Sequence, residues 1–249
     1  MSTRPHGPPH GPLHGGAKPG PPVPRRRRWW RSLPALVGAG AVVVAIAVAL
    51  LVISMGGGRQ DVGTPAAARG LARRVTLSPS DWGAGFVRGA AYENTEMAQG
   101  LTDRNCAYLA QPIAGALAAL QRTVGTPDRT VVAYARLVVY RDAASARADI
   151  ARLRADTDHC RTEHDAAGKA RWEDVHAVDV PALRGFDEVA TEEGHRVTDE
   201  KGRTADNYYT YLSGRKGKYL MQSYVVRTAK RDGNRSAAAA ALSLMLSRL

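Results

Sequence analysis

The sequence lacks the short motifs that usually announce catalysis. It contains no G-x-S-x-G, no H-E-x-x-H, no nucleotide-phosphate loop, no dinucleotide-binding glycine pattern and no protein-kinase signature. No motif therefore points to an enzyme class, and no cofactor is expected. Cysteine is almost absent, with only Cys106 and Cys160. Charge is absent over one long stretch, Leu33 to Met55, and acid is absent from the first 31 residues. These two absences set the expected topology.

The uncharged stretch of about 23 residues gives roughly 34 Å of helix, enough to cross a bilayer core, whereas a signal-peptide apolar region is usually about 7 to 15 residues. Pro34 falls in its first turn, and Gly56, Gly57 and Gly58 end it. Arg25, Arg26, Arg27, Arg28, Trp29, Trp30 and Arg31 precede it directly, while only Arg59 follows at once, beside Asp61. The positive-inside rule then leaves the N-terminus cytoplasmic and everything after Met55 outside the cell membrane, with the two Trp residues at headgroup level. The small residues of "TPAAARG" (Thr64 to Gly70) have signal-cleavage spacing but lie about ten residues beyond the apolar run, too far for a usual site. The chain is thus expected to be a single-pass membrane protein rather than a secreted one.

The net charge of +12 does not imply nucleic-acid binding, because +7 of it sits in the first 31 residues, on Arg4, Lys18 and the five arginines just named. That tail is suited to topology and to anionic lipid headgroups. Residues 1–32 are rich in Pro and Gly and are expected to be disordered. His6, His10 and His14 have helical metal-ligand spacing, but the intervening Pro and Gly forbid the helix. Residues 33–55 are assigned to the span, 56–75 to a linker and 76–249 to an extracytoplasmic domain.

Within that domain, Ser78, Pro79 and Asp81 form a helix-start signal ended by Gly83 and Gly85. "PIAGALAALQRTVG" (Pro112 to Gly125) reads as a second helix. "TVVAYARLVVY" (Thr130 to Tyr140) is rich in β-branched residues and reads as a strand, with Ala133, Ala135, Leu137 and Val139 on its core face. Asp142 then caps a helix whose Ala146, Ile150, Leu153, Thr157 and Cys160 recur at helical spacing. Trp172 to Val180 and Phe186 to Thr191 read as extended. "NYYTYLS" and "KYLMQSYVVRT" form a hairpin around "GRKG", and "AAAAALSLMLSRL" closes the chain as a helix with Ala238, Leu242, Met245 and Leu249 on one side. The expected fold is α+β, an antiparallel sheet covered by helices.

The two cysteines have two readings. In an oxidising compartment they would form a disulfide closing a loop of about 54 residues, worth roughly 4 kcal/mol by chain entropy. Alternatively, Asp156, Cys160 and His164 recur every four residues beside His159 and Glu163, a zinc-like set that Cys106 would complete.

Two clusters bear on binding. Asp187, Glu188, Glu192 and Glu193 lie close enough to raise the idea of a glycosidase pair, although a charged strand end explains them more simply. Tyr208, Tyr209, Tyr211, Tyr219 and Tyr224 concentrate in the hairpin. Cross-strand aromatic pairing is their structural role. A ligand surface would combine Tyr208, Tyr209 and Tyr211 with Arg215, Lys216 and Lys218 at the turn, facing an anionic wall or lipid group.

The order of elements adds a resemblance. A short helix, a first Cys, a strand running into "YRDAASARADIARLRADTDHC", and a late strand "KYLMQSYVVRT" feeding a last helix resemble the extracytoplasmic sensor domain of actinobacterial transmembrane serine/threonine kinases of the PknH type, here without a kinase domain. The resemblance implies a non-catalytic sensor module in an actinobacterial cell envelope, with an extracytoplasmic ligand or envelope protein as its partner. An enzyme acting on wall polymer and a structural partner of an envelope complex are the alternatives.

Overall fold

The computed structural model describes residues 62–200, 203–228 and 233–249. The expected tail and the apolar run Leu33 to Met55 lie outside these residues. No helix among the described residues is long and apolar enough to cross a membrane.

The first described element corrects the expected linker. Residues Pro65–Val75 form helix α1, with Pro65 in the first turn and Thr64 Oγ1 accepting a hydrogen bond from the Ala67 N–H at 3.2 Å. Ala68, Leu71, Ala72 and Val75 fall on one side at helical spacing and are buried in the core. A spacer would leave these residues in water. A 3-10 turn, Pro79–Trp82, follows with the expected Ser78 and Asp81 capping box.

Ten strands come next: β1 (Val87–Asn94), β2 (Ala98–Thr102), β3 (Ala107–Pro112), β4 (Ala116–Gly125), β5 (Val131–Tyr140), β6 (Glu163–Asp165), β7 (Ala170–His176), β8 (Glu188–Glu200), β9 (Arg203–Lys216) and β10 (Tyr219–Thr228). Helix α2 (Ala143–His159) lies between β5 and β6, and α3 (Asn234–Ser247) ends the chain. The strands form one sheet in the order β1-β4-β5-β10-β9-β8-β7-β6-β3-β2. All pairs are antiparallel except β3 with β6, so the sheet is mixed rather than purely antiparallel.

The stretch expected as a second helix is strand β4. Gly115 at φ +75° breaks the backbone before it, and β1 and β5 then offer hydrogen-bonding edges on both sides. Two filled ladders outweigh the helix preference of its alanines. The hairpin turn also shifts. Lys216 pairs with Tyr219, so the loop is Gly217 and Lys218, with Gly217 at φ +57°. Gly214 lies inside β9 instead, where an added Cβ would come 2.5 Å from the Phe186 ring.

The sheet has a core on each face. Leu137 and Val139 of β5, Met221 and Val225 of β10 and Leu212 of β9 pack against α1 and α3, including Leu242 and Met245. The alternate residues Val138 and Tyr140 of β5 and Leu220 of β10 pack against Ile150 and Leu153 of α2. Leu101 of β2 joins this second cluster, although β2 is the far edge of the sheet. The sheet curls to bring it there, and Arg136 of β5 donates to the carbonyls of Glu96 and Ala98 at 3.0 and 2.7 Å across the gap. Both faces of β5 are therefore buried along most of its length.

Three groups on one stripe of α2 hold the curled edge. Asp149 accepts from Gln99 and from the Tyr140 hydroxyl. Asp156 accepts from the Thr102 N–H at 3.1 Å and from its hydroxyl. Cys160 is bonded to Cys106, with Cα atoms 5.6 Å apart.

The double variant Cys106→Ser/Cys160→Ser is expected to lose about 2–5 kcal/mol in denaturant unfolding relative to the oxidised chain. Leu71→Ala, in the helix where a linker was expected, should cost about 2–5 kcal/mol, whereas a true spacer would tolerate it.

Candidate functional site

The curl encloses a slot. Its floor comes from alternate residues of the central strands, which point away from α1 and α3: Tyr134 on β5, Tyr224 on β10, Tyr209 and Tyr211 on β9, and Glu192 on β8. Trp172, Glu163, Tyr108 and Gly100 continue the wall across β7, β6, β3 and β2, and Leu153, Asp156 and Thr157 of α2 close the top. The space open to the centres of water molecules in it is about 50 Å³, room for a few waters.

The aromatic walls are ordered by ring packing. Tyr134 and Tyr209 both stack on Tyr224, with centroids 5.1 and 5.7 Å from it. On the opposite wall Tyr108 stacks on Trp172 at 4.9 Å. Gly100 makes this possible, because a Cβ there would lie 1.9 Å from the Tyr108 ring. The Tyr211 hydroxyl accepts from Gln222. Burial raises the hydroxyl pKa of Tyr108, Tyr134, Tyr209, Tyr211 and Tyr224, so all five remain neutral donors.

Three carboxyl groups share the slot, and its lining contains no Lys or Arg. Glu192 accepts from Tyr209 at 2.8 Å and from Thr157 at 2.9 Å, yet burial still raises its pKa. Burial also raises that of Asp156 despite its bonds from Thr102. Glu163 is 3% exposed and has no hydrogen-bond partner among the described residues. Burial, reinforced by the charges of Glu192 and Asp156, pushes its pKa up to about 8.

Of the residues expected to form a ligand surface, only Tyr209 and Tyr211 enter the slot. Tyr208 faces the other way, its ring 4.1 Å from that of His195. Arg215, Lys216 and Lys218 lie at the far end of the hairpin and are engaged there. Arg215 pairs with Asp187 and Glu188, both at 3.1 Å, Lys216 pairs with Asp187 at 3.1 Å, and Lys218 donates to the Val62 carbonyl at 3.4 Å. The hairpin is long enough to separate its cations from its tyrosines, so no combined cationic and aromatic surface forms.

The acidic run is divided as well. Asp187 and Glu188 are held by Arg215, and Glu193 pairs with Arg235 at 2.7 Å on the sheet face opposite Glu192. The zinc reading is overturned by the bond between Cys106 and Cys160, which leaves neither sulfur as a thiolate ligand. Tyr108, Tyr134, Trp172, Glu163 and Asp156 were not singled out as a binding wall. Only the alternation along β5, which puts Tyr134 opposite the core face, pointed toward it.

The raised pKa of Glu163 has a stability consequence. The folded protein holds this proton more tightly than the unfolded chain, whose carboxyl has an ordinary value near 4.5, so stability falls as pH rises from that value toward about 8. Glu163→Gln is expected to raise Tm at pH 9 by at least about 3 °C and to leave it unchanged at pH 5, as read by calorimetry.

No protein-family model matches the chain, and no curated protein matches it. Among solved structures it is similar to the extracellular domain of PknH from Mycobacterium tuberculosis, with 14% identity, coverage of 72% of this chain and 97% of that one, and a TM-score of 0.49. It is also similar to an uncharacterized protein from Mycobacterium smegmatis, with 13% identity, coverage of 76% of this chain and 97% of the other, and a TM-score of 0.35. The first of these comes from the kinase group that the order of elements in the sequence resembles.

Proposed function

We propose that this chain is a single-pass membrane protein that displays a non-catalytic sensing domain on the outer side of the cell membrane, and that the tyrosine-lined slot is its ligand site. The observation that carries the reading is the slot itself: a partly open aromatic cleft into which a few polar groups converge, the usual form of a small-molecule site. The disulfide suits an oxidising compartment, and the uncharged run after Arg25 to Arg31 suits an anchor with the N-terminus inside. The basic tail is then available to anionic headgroups on the cytoplasmic side, and no role in nucleic-acid binding is assigned to it.

One observation favours a second reading, an envelope hydrolase. Glu163 keeps its proton up to about pH 8, as a general acid must. Hydrolysis also needs an ionised carboxylate opposite the acid, whereas burial raises the pKa of both other carboxyl groups of the slot, Asp156 and Glu192.

Protease added to intact spheroplasts is expected to remove residues beyond the apolar run while leaving the tail inside, and retention of the full chain would overturn the topology. Purified wall polymer incubated with the full chain should release no new reducing ends. Release that disappears in Glu163→Gln would replace sensing with hydrolysis.

A further inference from the structure

Resting on the slot as the ligand site, we propose that its ligand is a small organic cation, an alkylammonium group seated between tyrosine faces against Glu163, Glu192 and Asp156.

The argument starts from an imbalance. A buried carboxylate is stable only when a cation or several donors answer it. Glu192 and Asp156 each receive two donor groups, but Glu163 receives none, although it is 3% exposed and lines the slot. The guanidinium groups around the slot do not answer it. Arg136 donates to two backbone carbonyls at the β2 edge, Arg152 pairs with Asp149 at 2.6 Å, and Arg196 stands 5.9 Å from the centre of the Trp172 ring. The site therefore has an unpartnered carboxyl group that a cationic ligand can answer as it ionises.

The walls fit the same chemistry. Tyrosine and tryptophan rings attract cations through the negative face of the ring, and the effect grows when water is excluded. An anion would meet three carboxyl groups and no base. The ring faces and carboxyl groups that line the slot give an ammonium head a partner on several sides.

Binding should also depend on pH. Glu163 faces Asp156 from α2, Glu192 from β8, Tyr209 from β9 and Tyr108 from β3, with Arg152 and His159 acting on the far side of Asp156. None of these supplies a positive charge inside the slot. A permanent cation favours the ionised form of Glu163, so affinity should rise as pH passes about 8.

The test is titration calorimetry of the full chain in detergent with choline, its uncharged isostere 3,3-dimethylbutan-1-ol, and N-acetylglucosamine. Choline is expected to bind at least about tenfold more tightly than the alcohol, and about tenfold more tightly at pH 9 than at pH 6.5. Glu163→Gln should reduce the choline affinity at pH 9 and abolish the pH dependence, and its unchanged or raised Tm shows that it is folded. Equal binding of choline and the alcohol, or no binding of choline, overturns the cation assignment. If the alcohol or the sugar then binds the wild type but not Gly100→Val, whose added side chain collides with the Tyr108 ring that walls the slot, the slot remains the ligand site and only the ligand class is wrong.

Discussion

The attachment of the β2–β3 hairpin to helix α2 is the constraint on which the rest of the structure depends. Without it, an open ten-stranded sheet would leave Glu163 and the half-buried floor tyrosines fully open to water. With it, the tenth strand of the order lies against the third, and a second core forms around Leu101, Val138, Tyr140 and Ile150. The three attachment points, Asp149, Asp156 and Cys160, are seven and four residues apart, so they share one face of the helix. Two are hydrogen-bonded carboxyl groups, Asp149 buried and Asp156 partly buried, and the third is covalent, which places the strongest link where the sheet edge is shortest, beside the three-residue strand β6.

That closure brings three carboxyl groups into one apolar space, and the fold bears a cost for it. Glu163 is the clearest case, since replacing its carboxylate by an amide would relieve burial and repulsion together. A group of this kind at a purely structural position would be expected to carry a partner, as Glu193 does with Arg235 and Asp81 does with Arg248. The hydrogen bonds to Asp81 and the charge of Arg248 hold that carboxyl well below its usual range, the opposite of what happens in the slot. Within one domain, the structural acids are answered and Glu163 is not.

The legible parts of the fold were those with strong local signals. The cap at Asp142, the helical spacing through Cys160, the β-branched run of β5 and the glycine at position 217 each forced one local answer. Helix α1 carried equally good signals, Thr64, Pro65 and the Ala68-Leu71-Ala72-Val75 spacing, but they were outweighed by the expectation of a spacer after a membrane span. Strand β4 was misread because alanine prefers helix and the two edges that overrule it come from distant residues. Strands β1, β2, β3 and β6 are short or largely exposed and have little periodicity of their own. The slot was only half visible: Tyr209, Tyr211 and Glu192 stood in noticed clusters and Asp156 and Glu163 in a different one, read for metal, whereas Trp172 and Tyr108 stood in none, and the curl that joins them lies in no sequence window.

The most direct test is residue-resolved hydrogen exchange of the full chain before and after reduction of the disulfide. If the hairpin is held to α2 as described, reduction should speed exchange selectively in β2, β3 and β6 while β5, β9 and β10 keep their protection. Unchanged protection in the hairpin, or an even loss across the whole sheet, would show that the attachment does not govern closure of the slot.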